Sequence, residues 1–234
     1  FSVRDEVAGL EYNGTSLNTL FAQRRNLLRP SFLGMVRDIL RFNRESLALL
    51  QNNLPQLTLA EYLARSSYSR EFVQHYLIPM GAAVWSADPA TFAEFPARSL
   101  LTFLSNHGLL GVRDRPQWRS IRGGSRVYVQ AIADRFAGEI RLAAPVQRIE
   151  RHGLDDDLHV DVITPHGRDK FDRVVLAVHS DQALRMLAEP SPAEREVLRS
   201  VRYQPNRATL HTDVSLLSPR RRAWAAWNYD CRPG

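Results

Sequence analysis

The segment IRGGSRVYVQAI, residues 121–132, decides the fold, because two glycines in it stand directly before an amphipathic run. Glycine reaches backbone conformations that other residues avoid, and glycines at the start of a helix leave N–H groups free to stabilise negative charge. Strand-like segments follow and lead to the apolar run DRVVLAV at residues 172–178. The pattern predicts a helix over residues 125–136, then a small sheet, and then a strand buried on both faces at residues 174–178.

Alternation of apolar and polar residues predicts the strands between this helix and the apolar run. Residues 146–150 and 159–164 alternate as half-buried strands do, and a polar turn separates the second from a strand near Lys170. Ser180 is predicted to cap the helix after the buried strand, because its hydroxyl can accept helix N–H groups. Further predicted elements are a short strand at residues 140–142, a helix that begins near Ser191 and a return strand at residues 208–212.

The first half of the chain has a different period. Two short strands are predicted within residues 2–12, and residues 16–106 then place apolar side chains three and four positions apart, as helices do. Thr58 and Glu61 form a capping-box pattern, and Ser67 precedes another predicted helix. These patterns predict an α+β fold, with a mostly helical portion at residues 1–117 and a β-meander with flanking helices at residues 118–234.

Composition limits the classes of function to consider. The 234 residues carry a formal net charge of +6, but only Lys170 among the 31 basic residues is not arginine, and only Arg220-Arg221-Arg222 forms a run. A solvated surface explains this distribution better than phosphate contacts, so no nucleic-acid partner is expected. A single cysteine, Cys231, excludes an internal disulfide framework and a cysteine zinc cluster. No long apolar run and no signal peptide is visible, so a cytoplasmic location is expected.

Two stretches resemble the flavin-containing amine oxidase superfamily, which also holds the protoporphyrinogen oxidases and the phytoene desaturases. The first is VQRIERHGLDDDLHVDVITPHGRDKFDRVVLAV at residues 146–178, and the second is PMGAAVWSADP at residues 79–89. The similarity extends from about residue 76 to about residue 188. Two further segments, GLEYNGTSLNTLFAQRRNLL and YQPNRATLHTD, resemble bacterial proteins that are predicted to be NAD/FAD-binding oxidoreductases.

The resemblance implies that this sequence forms part of an α/β FAD-binding fold, and it indicates which residues approach the cofactor. In the family, a valine at the position of Val146 sets its main chain against the adenine of FAD. The apolar strand ends in small residues beside the cofactor, here Ala177 and Val178. Gly123 and Gly124 are expected to approach FAD as well. Alternatively, Val146 is an ordinary core residue and the two glycines form only a tight turn.

The resemblance also implies a side of the molecule that faces the substrate, because residues 79–89 border the flavin and the substrate in the family. An apolar pocket beside a flavin commonly uses aromatic side chains. The predicted substrate-binding residues are Tyr76, Met80, Trp85, Trp118 and Arg122. Alternatively the aromatic residues belong to the core and Arg122 to the surface. No side chain stands out as a catalytic acid or base.

The chain departs from the family in one respect. None of its 12 glycines belongs to a Gly-x-Gly-x-x-Gly motif, the turn that binds the pyrophosphate. This motif lies at the N-terminus of family members and a second flavin segment lies near their C-terminus. The chain, which begins at Phe1, is therefore expected to be a fragment of an FAD-dependent oxidoreductase and to bind FAD weakly or not at all. The complete protein is expected to oxidise an amine or an apolar small-molecule substrate by hydride transfer to the flavin.

Weaker sequence patterns indicate an alternative function and bear on metal binding. The long helices of the first half and the basic charge would also suit a non-enzymatic interaction module that binds an acidic partner, or a peripheral contact with a membrane surface. No metal site is expected, because His152, His159 and His166 fall on a strand end, a strand and a turn, and we do not expect them to converge. The sequence makes no prediction of the oligomeric state.

Overall fold

The computed structural model describes residues 1–52, 56–111, 119–153 and 158–231. The chain divides into two compact units, of which unit 1 comprises Phe1–Trp118 with Ala208–Gly234 and unit 2 comprises Arg119–Arg207. The sequence predicts a division into residues 1–117 and 118–234. This prediction groups residues 208–234 with the second portion, whereas the structure groups them with unit 1. Strand pairing explains the difference, because the C-terminal strand joins the sheet of unit 1. Across the described residues, no helix has the length and apolar character needed to cross a membrane.

The sheet of unit 1 has the strand order β2-β1-β6. Strands β1 (Ser2–Asp5) and β2 (Leu10–Asn13) form the antiparallel hairpin predicted for the start of the chain, and Gly9 takes a φ of +59° in the turn between them. Strand β6 (Asn228–Asp230) lies parallel to β1 on its other side. The N-terminal and C-terminal segments thus meet in one sheet.

Helices make up most of the rest of unit 1, as the sequence predicts for its first half. They are α1 (Leu17–Leu20), α2 (Pro30–Gln51), α3 (Leu59–Arg65), α4 (Arg70–Phe72), α5 (Ile78–Trp85) and α6 (Ala97–Asn106). A π-helical segment at Val73–Leu77 joins α4 to α5, and short 3₁₀ helices lie at Arg24–Leu28, Phe92–Glu94, Val214–Leu216 and Arg221–Ala223.

Local signals explain several helix ends in unit 1. Thr58 and Glu61 form the predicted capping box at the start of α3, in which each side chain bonds the backbone of the other residue. The next helix is capped by Ser69 rather than by the predicted Ser67, because the Ser69 hydroxyl accepts from the N–H of Phe72. The apolar faces meet in a core whose largest fully buried side chains include Tyr12, Phe32, Phe42, Phe72, Phe92 and Met35.

Unit 2 contains the predicted β-meander. It comprises α7 (Ser125–Ala133), β3 (Arg148–His152), β4 (His159–Thr164), β5 (Gly167–Phe171), α8 (Ser180–Met186) and α9 (Pro192–Ser200). The three strands form an antiparallel sheet in the order β3-β4-β5, in which Ile149 lies opposite Val162. Ile149 and Ala183 of α8 are both buried. The α+β fold class and the pairing of the predicted meander strands are therefore confirmed.

Three predicted strands and two predicted helix ends are wrong. Residues 140–142, 174–178 and 208–212 form no strand, because no described segment pairs with them, and Val175 is 91% exposed rather than buried. Helix α7 ends at Ala133 instead of residue 136. Helix α8 is preceded by His179 in the cap position, and Ser180 instead contacts the hydroxyl of Tyr203.

Candidate functional site

The glycine pair that opens α7 has the backbone geometry the sequence predicts. Gly123 has a φ of +86° and Gly124 a φ of +79°, conformations that residues with a β-carbon rarely adopt. Gly124 occupies the cap position of α7 and offers no side chain to the first N–H groups of the helix. A β-carbon added at Gly124 would meet no heavy atom within 4 Å. The backbone here is therefore open to a close approach by another group.

The other predicted cofactor residues share unit 2 with this glycine pair. Val146 is half-buried just before β3, while Ala177 and Val178 are exposed in the segment that leads to α8. Arg122, from the predicted substrate set, is exposed beside Gly123. These positions agree with a surface that is open to a ligand, and the contacts of these residues with FAD stay a prediction.

The predicted substrate residues of unit 1 lie in its aromatic core. Tyr76, in the π-helical segment, packs against Phe72 with ring centroids 5.6 Å apart, and Met80 is 5% exposed. Trp85 lies 4.5 Å from Phe103, centroid to centroid. The fourth predicted residue, Trp118, lies outside the described residues. The three described side chains thus belong to the core of unit 1 or pack against it, and their contact with a substrate stays a prediction.

Unit 1 has a cavity of about 680 Å³ beside helix α5. Its volume falls in the range of sites that hold a small molecule, roughly 300–1,000 Å³. Ala83 contributes from the predicted segment 79–89, and the other lining residues come from the C-terminal part of the chain. These are His211, Leu216, Leu217, Ala226, Trp227, Asn228, Tyr229 and Asp230. The lining is mainly apolar, and its polar groups are one imidazole, one carboxyl, one amide, the Tyr229 hydroxyl and the Trp227 indole N–H.

Hydrogen bonds hold the C-terminal wall of this cavity against the first strands. The N–H of Ser2 donates to the carbonyl of Trp227 (2.8 Å), and the Ser2 hydroxyl donates to Asn228 Oδ1 (2.8 Å). The amide of Asn13 donates to the carbonyl of Trp224 (2.6 Å). Burial raises the pKa of Tyr229, with a further increase from Cys231 and Asp88, so its phenol is a protonated hydrogen-bond donor.

Sequence reasoning did not find these C-terminal residues, because no motif marks them. The one available signal was the aromatic-rich segment AWAAWNYD at residues 223–230, which lies more than a hundred residues after Ala83. Their proximity to Ala83 depends on the parallel pairing of β6 with β1. Such a long-range pairing leaves no local pattern in the sequence.

The cluster of histidines differs from the prediction. His152 and His159 lie directly opposite each other on β3 and β4, and together with Asp161 they place three potential ligand atoms within 4.8 Å of one another. The antiparallel register explains this, because it places the last residue of β3 opposite the first residue of β4. His166 is exposed in the next turn and does not belong to this group.

Comparison with known proteins identifies a family, and it also finds similar solved structures. The family model of flavin-containing amine oxidoreductases matches residues 3–226. A solved structure provisionally described as a protoporphyrinogen oxidase from Exiguobacterium sp. 255-15 is 23% identical, with a TM-score of 0.42, over 65% of this chain. The chain spans 36% of the length of that protein. A search of curated proteins finds no match.

Proposed function

Since the chain belongs to the family of flavin-containing amine oxidoreductases, we propose that it forms part of an FAD-dependent enzyme that oxidises an amine or an apolar small molecule by hydride transfer. The observation that carries the proposal is the family match over residues 3–226, which includes parts of both units. When bound, the flavin supplies the hydride acceptor, and the chain supplies binding, orientation and exclusion of water.

We assign the cofactor side to unit 2. The positive φ of Gly123 and Gly124 and the open space at Gly124 support this assignment, because they would let a negatively charged or polar group approach the N-terminus of α7 closely. Val146, Ala177 and Val178 would add main-chain and apolar contacts to the cofactor. The residues present therefore suit part of FAD, while the chain lacks a Gly-x-Gly-x-x-Gly turn for the pyrophosphate.

The contacts that the 234-residue chain can make determine its affinity for FAD. Several charge-assisted hydrogen bonds to the pyrophosphate, each worth roughly 1.5–3 kcal/mol, would be missing in the 234-residue chain. Each 1.4 kcal/mol changes the dissociation constant about tenfold. The chain by itself should accordingly bind FAD with micromolar affinity at best, and the protein from the complete reading frame should bind it far more tightly.

A fluorescence titration tests the assignment. The purified chain is titrated with FAD, and the protein expressed from the complete reading frame is examined for a flavin absorbance spectrum. Gly124→Ala should weaken FAD binding in the longer protein, whereas Gly34→Ala, in a helix of unit 1, should not. Sub-micromolar binding by the 234-residue chain would mean that the cofactor site is elsewhere. A longer protein that stays colourless after FAD supplementation would instead favour a non-enzymatic interaction module.

We assign the substrate side to the cavity beside α5. Its apolar lining and its few polar groups suit a molecule with an apolar body and one amine or other polar group. Ala83→Leu would fill part of this space and should raise the KM of the flavoprotein for its substrate. Ala60→Leu, on the exposed face of α3, is the matched control because it adds the same volume outside the cavity. An equal KM in both variants would exclude this cavity as the substrate site.

A further inference from the structure

One face of the meander sheet in unit 2 carries two histidines and an aspartate in close proximity. His152 on β3 pairs directly with His159 on β4, and Asp161 lies two residues further along β4 on the same face. The imidazole rings are stacked with centroids 5.1 Å apart and planes inclined by 25°. One ligand atom from each of the three residues lies within 4.8 Å of the other two. Paired strands therefore fix the positions of all three groups.

The nitrogen His152 Nε2 is the atom at the centre of this arrangement. It is shielded from solvent and has no hydrogen-bond partner within the described residues. Asp161 Oδ2 lies only 3.2 Å away, but the orientation does not make a hydrogen bond. Buried polar atoms are nearly always satisfied, so a nitrogen that faces Asp161 and also Glu150 Oε2 (3.6 Å) without a hydrogen bond is open to a further partner.

We propose that His152, His159 and Asp161 bind a divalent transition metal of the Zn²⁺ class. Two imidazoles and one carboxylate are a ligand set that Zn²⁺ accepts, with bond lengths of about 2.0–2.2 Å, and a fourth position is left for water. One ligand atom of each residue lies within 4.8 Å of the other two, so the side chains would have to rotate to bring all three to bonding distance from one ion. The metal would link the last residue of β3 to the first residue of β4, independently of the flavin chemistry.

Two basic residues compete with a metal at this face. Arg168 Nη1 lies 2.8 Å from Asp161 Oδ2 and 3.1 Å from Glu150 Oε2, and Lys170 is the residue opposite Asp161 on β5. Arg168 thus neutralises the carboxylate when no metal is bound, and an incoming cation must displace it or share Asp161 with it. Removal of the Arg168 charge should therefore increase metal affinity, a result that a simple network of ion pairs would not produce.

Calorimetric titration of the purified, untagged and chelator-treated chain with ZnCl₂ tests the proposal. We expect saturable binding of one ion per chain. His152→Gln and His159→Gln should each weaken binding at least tenfold, and Arg168→Gln should strengthen it. His166→Gln is the matched control, because His166 is exposed in the turn before β5 and outside the group. Absent binding, or binding that all four variants leave equal, would overturn the proposal.

Spectroscopy with Co²⁺ gives a second readout that does not depend on variants. Co²⁺ bound by two imidazoles and a carboxylate in a four-coordinate site should show visible d–d absorption, and excess Zn²⁺ should abolish it. Circular dichroism establishes whether each glutamine variant is folded. If either histidine variant fails to fold, the Co²⁺ spectrum of the unchanged chain tests the proposal. Absorption bands that Zn²⁺ abolishes would support the site, and a spectrum identical to that of Co²⁺ in buffer would refute it.

Discussion

Gly81 and Phe92 are packed so closely that a β-carbon at Gly81 would lie 2.1 Å from both Cε1 and Cζ of the phenylalanine ring. Gly81 lies in α5, and Phe92 belongs to the 3₁₀ helix that follows. The ring cannot retreat easily, because it is stacked on Phe95 with centroids 5.4 Å apart and is fully surrounded by the core of unit 1. The glycine of the segment at residues 79–89 therefore has a packing role, separate from any contact with a cofactor.

Gly81→Ala should destabilise the protein through overpacking. Insertion of even one methyl group into a well-packed core typically costs about 1–3 kcal/mol, since side chains and backbone must shift. The free energy of unfolding, measured by guanidinium denaturation, should fall by an amount in this range. A variant as stable as the unchanged chain would show that Phe92 can move away without cost.

Gly34→Ala should have the opposite effect. Gly34 lies within helix α2, and a β-carbon there would meet no heavy atom within 4 Å. Alanine in a helix interior is more stable than glycine by roughly 0.5–1 kcal/mol, because glycine loses more conformational freedom on folding. The same denaturation experiment should show this gain. If both glycine variants lose stability, helix propensity is not the dominant effect at Gly34.

Glu194→Gln should reduce the acid resistance of unit 2. The guanidinium of Arg151 donates two hydrogen bonds to the Glu194 carboxylate (2.7 and 3.0 Å), which lowers its pKa to about 2, with a further contribution from the Ser191 N–H. A pKa lowered by folding stabilises the native state above the unfolded value of 4.5, and this contribution disappears as the pH falls towards 2.

Acid titration followed by circular dichroism checks this expectation. The Glu194→Gln variant should unfold at higher pH than the unchanged chain and should lose less stability between pH 4.5 and pH 2, the interval over which the contribution of the Glu194–Arg151 pair is lost. Glu196→Gln is the matched control, because Glu196 is exposed on the same helix α9. Similar acid unfolding of the two variants would show that net charge, and not the pair with Arg151, controls the midpoint.

Local patterns in the sequence predicted much of the fold. The alternation at residues 146–150 and 159–164 located the paired strands β3 and β4, and Thr58 with Glu61 located the start of α3. These predictions succeed because period and capping depend on neighbours within a few residues. The apolar run at residues 174–178 failed because a buried strand needs partners from elsewhere, and none of the described residues provides one.

The candidate sites show the same limit. The glycine pair before α7 was visible because positive φ is a property of single residues. The meeting of His152 with His159 depends on the register of a hairpin, and the cavity beside α5 depends on β6, which lies far from Ala83 in the sequence. Residue spacing alone does not give either arrangement, so the sequence predicted neither.

Cys231 should be an unreactive thiol in the folded chain. Burial raises its pKa from 9.0 to about 12, and the negative charges of Asp5 and Asp230 add to the increase. Its N–H donates to the carbonyl of Arg4, which holds the residue beside β1. The thiolate is the reactive form, so the raised pKa lowers the reactive fraction of Cys231 at pH 8. Alkylation by iodoacetamide at pH 8 should therefore be at least about tenfold slower in the folded chain than in guanidinium.

The same shift predicts a dependence of stability on alkaline pH. A group whose pKa is raised by folding stabilises the native state fully below the unfolded value of 9.0, and this contribution is lost as the pH rises towards 12. The free energy of unfolding should accordingly decrease between pH 9 and pH 11 in the unchanged chain. Cys231→Ser removes this ionisation, so its loss of stability over that interval should be smaller. Equal losses in the two proteins, together with rapid alkylation of the folded chain, would contradict a half-buried thiol that stays protonated.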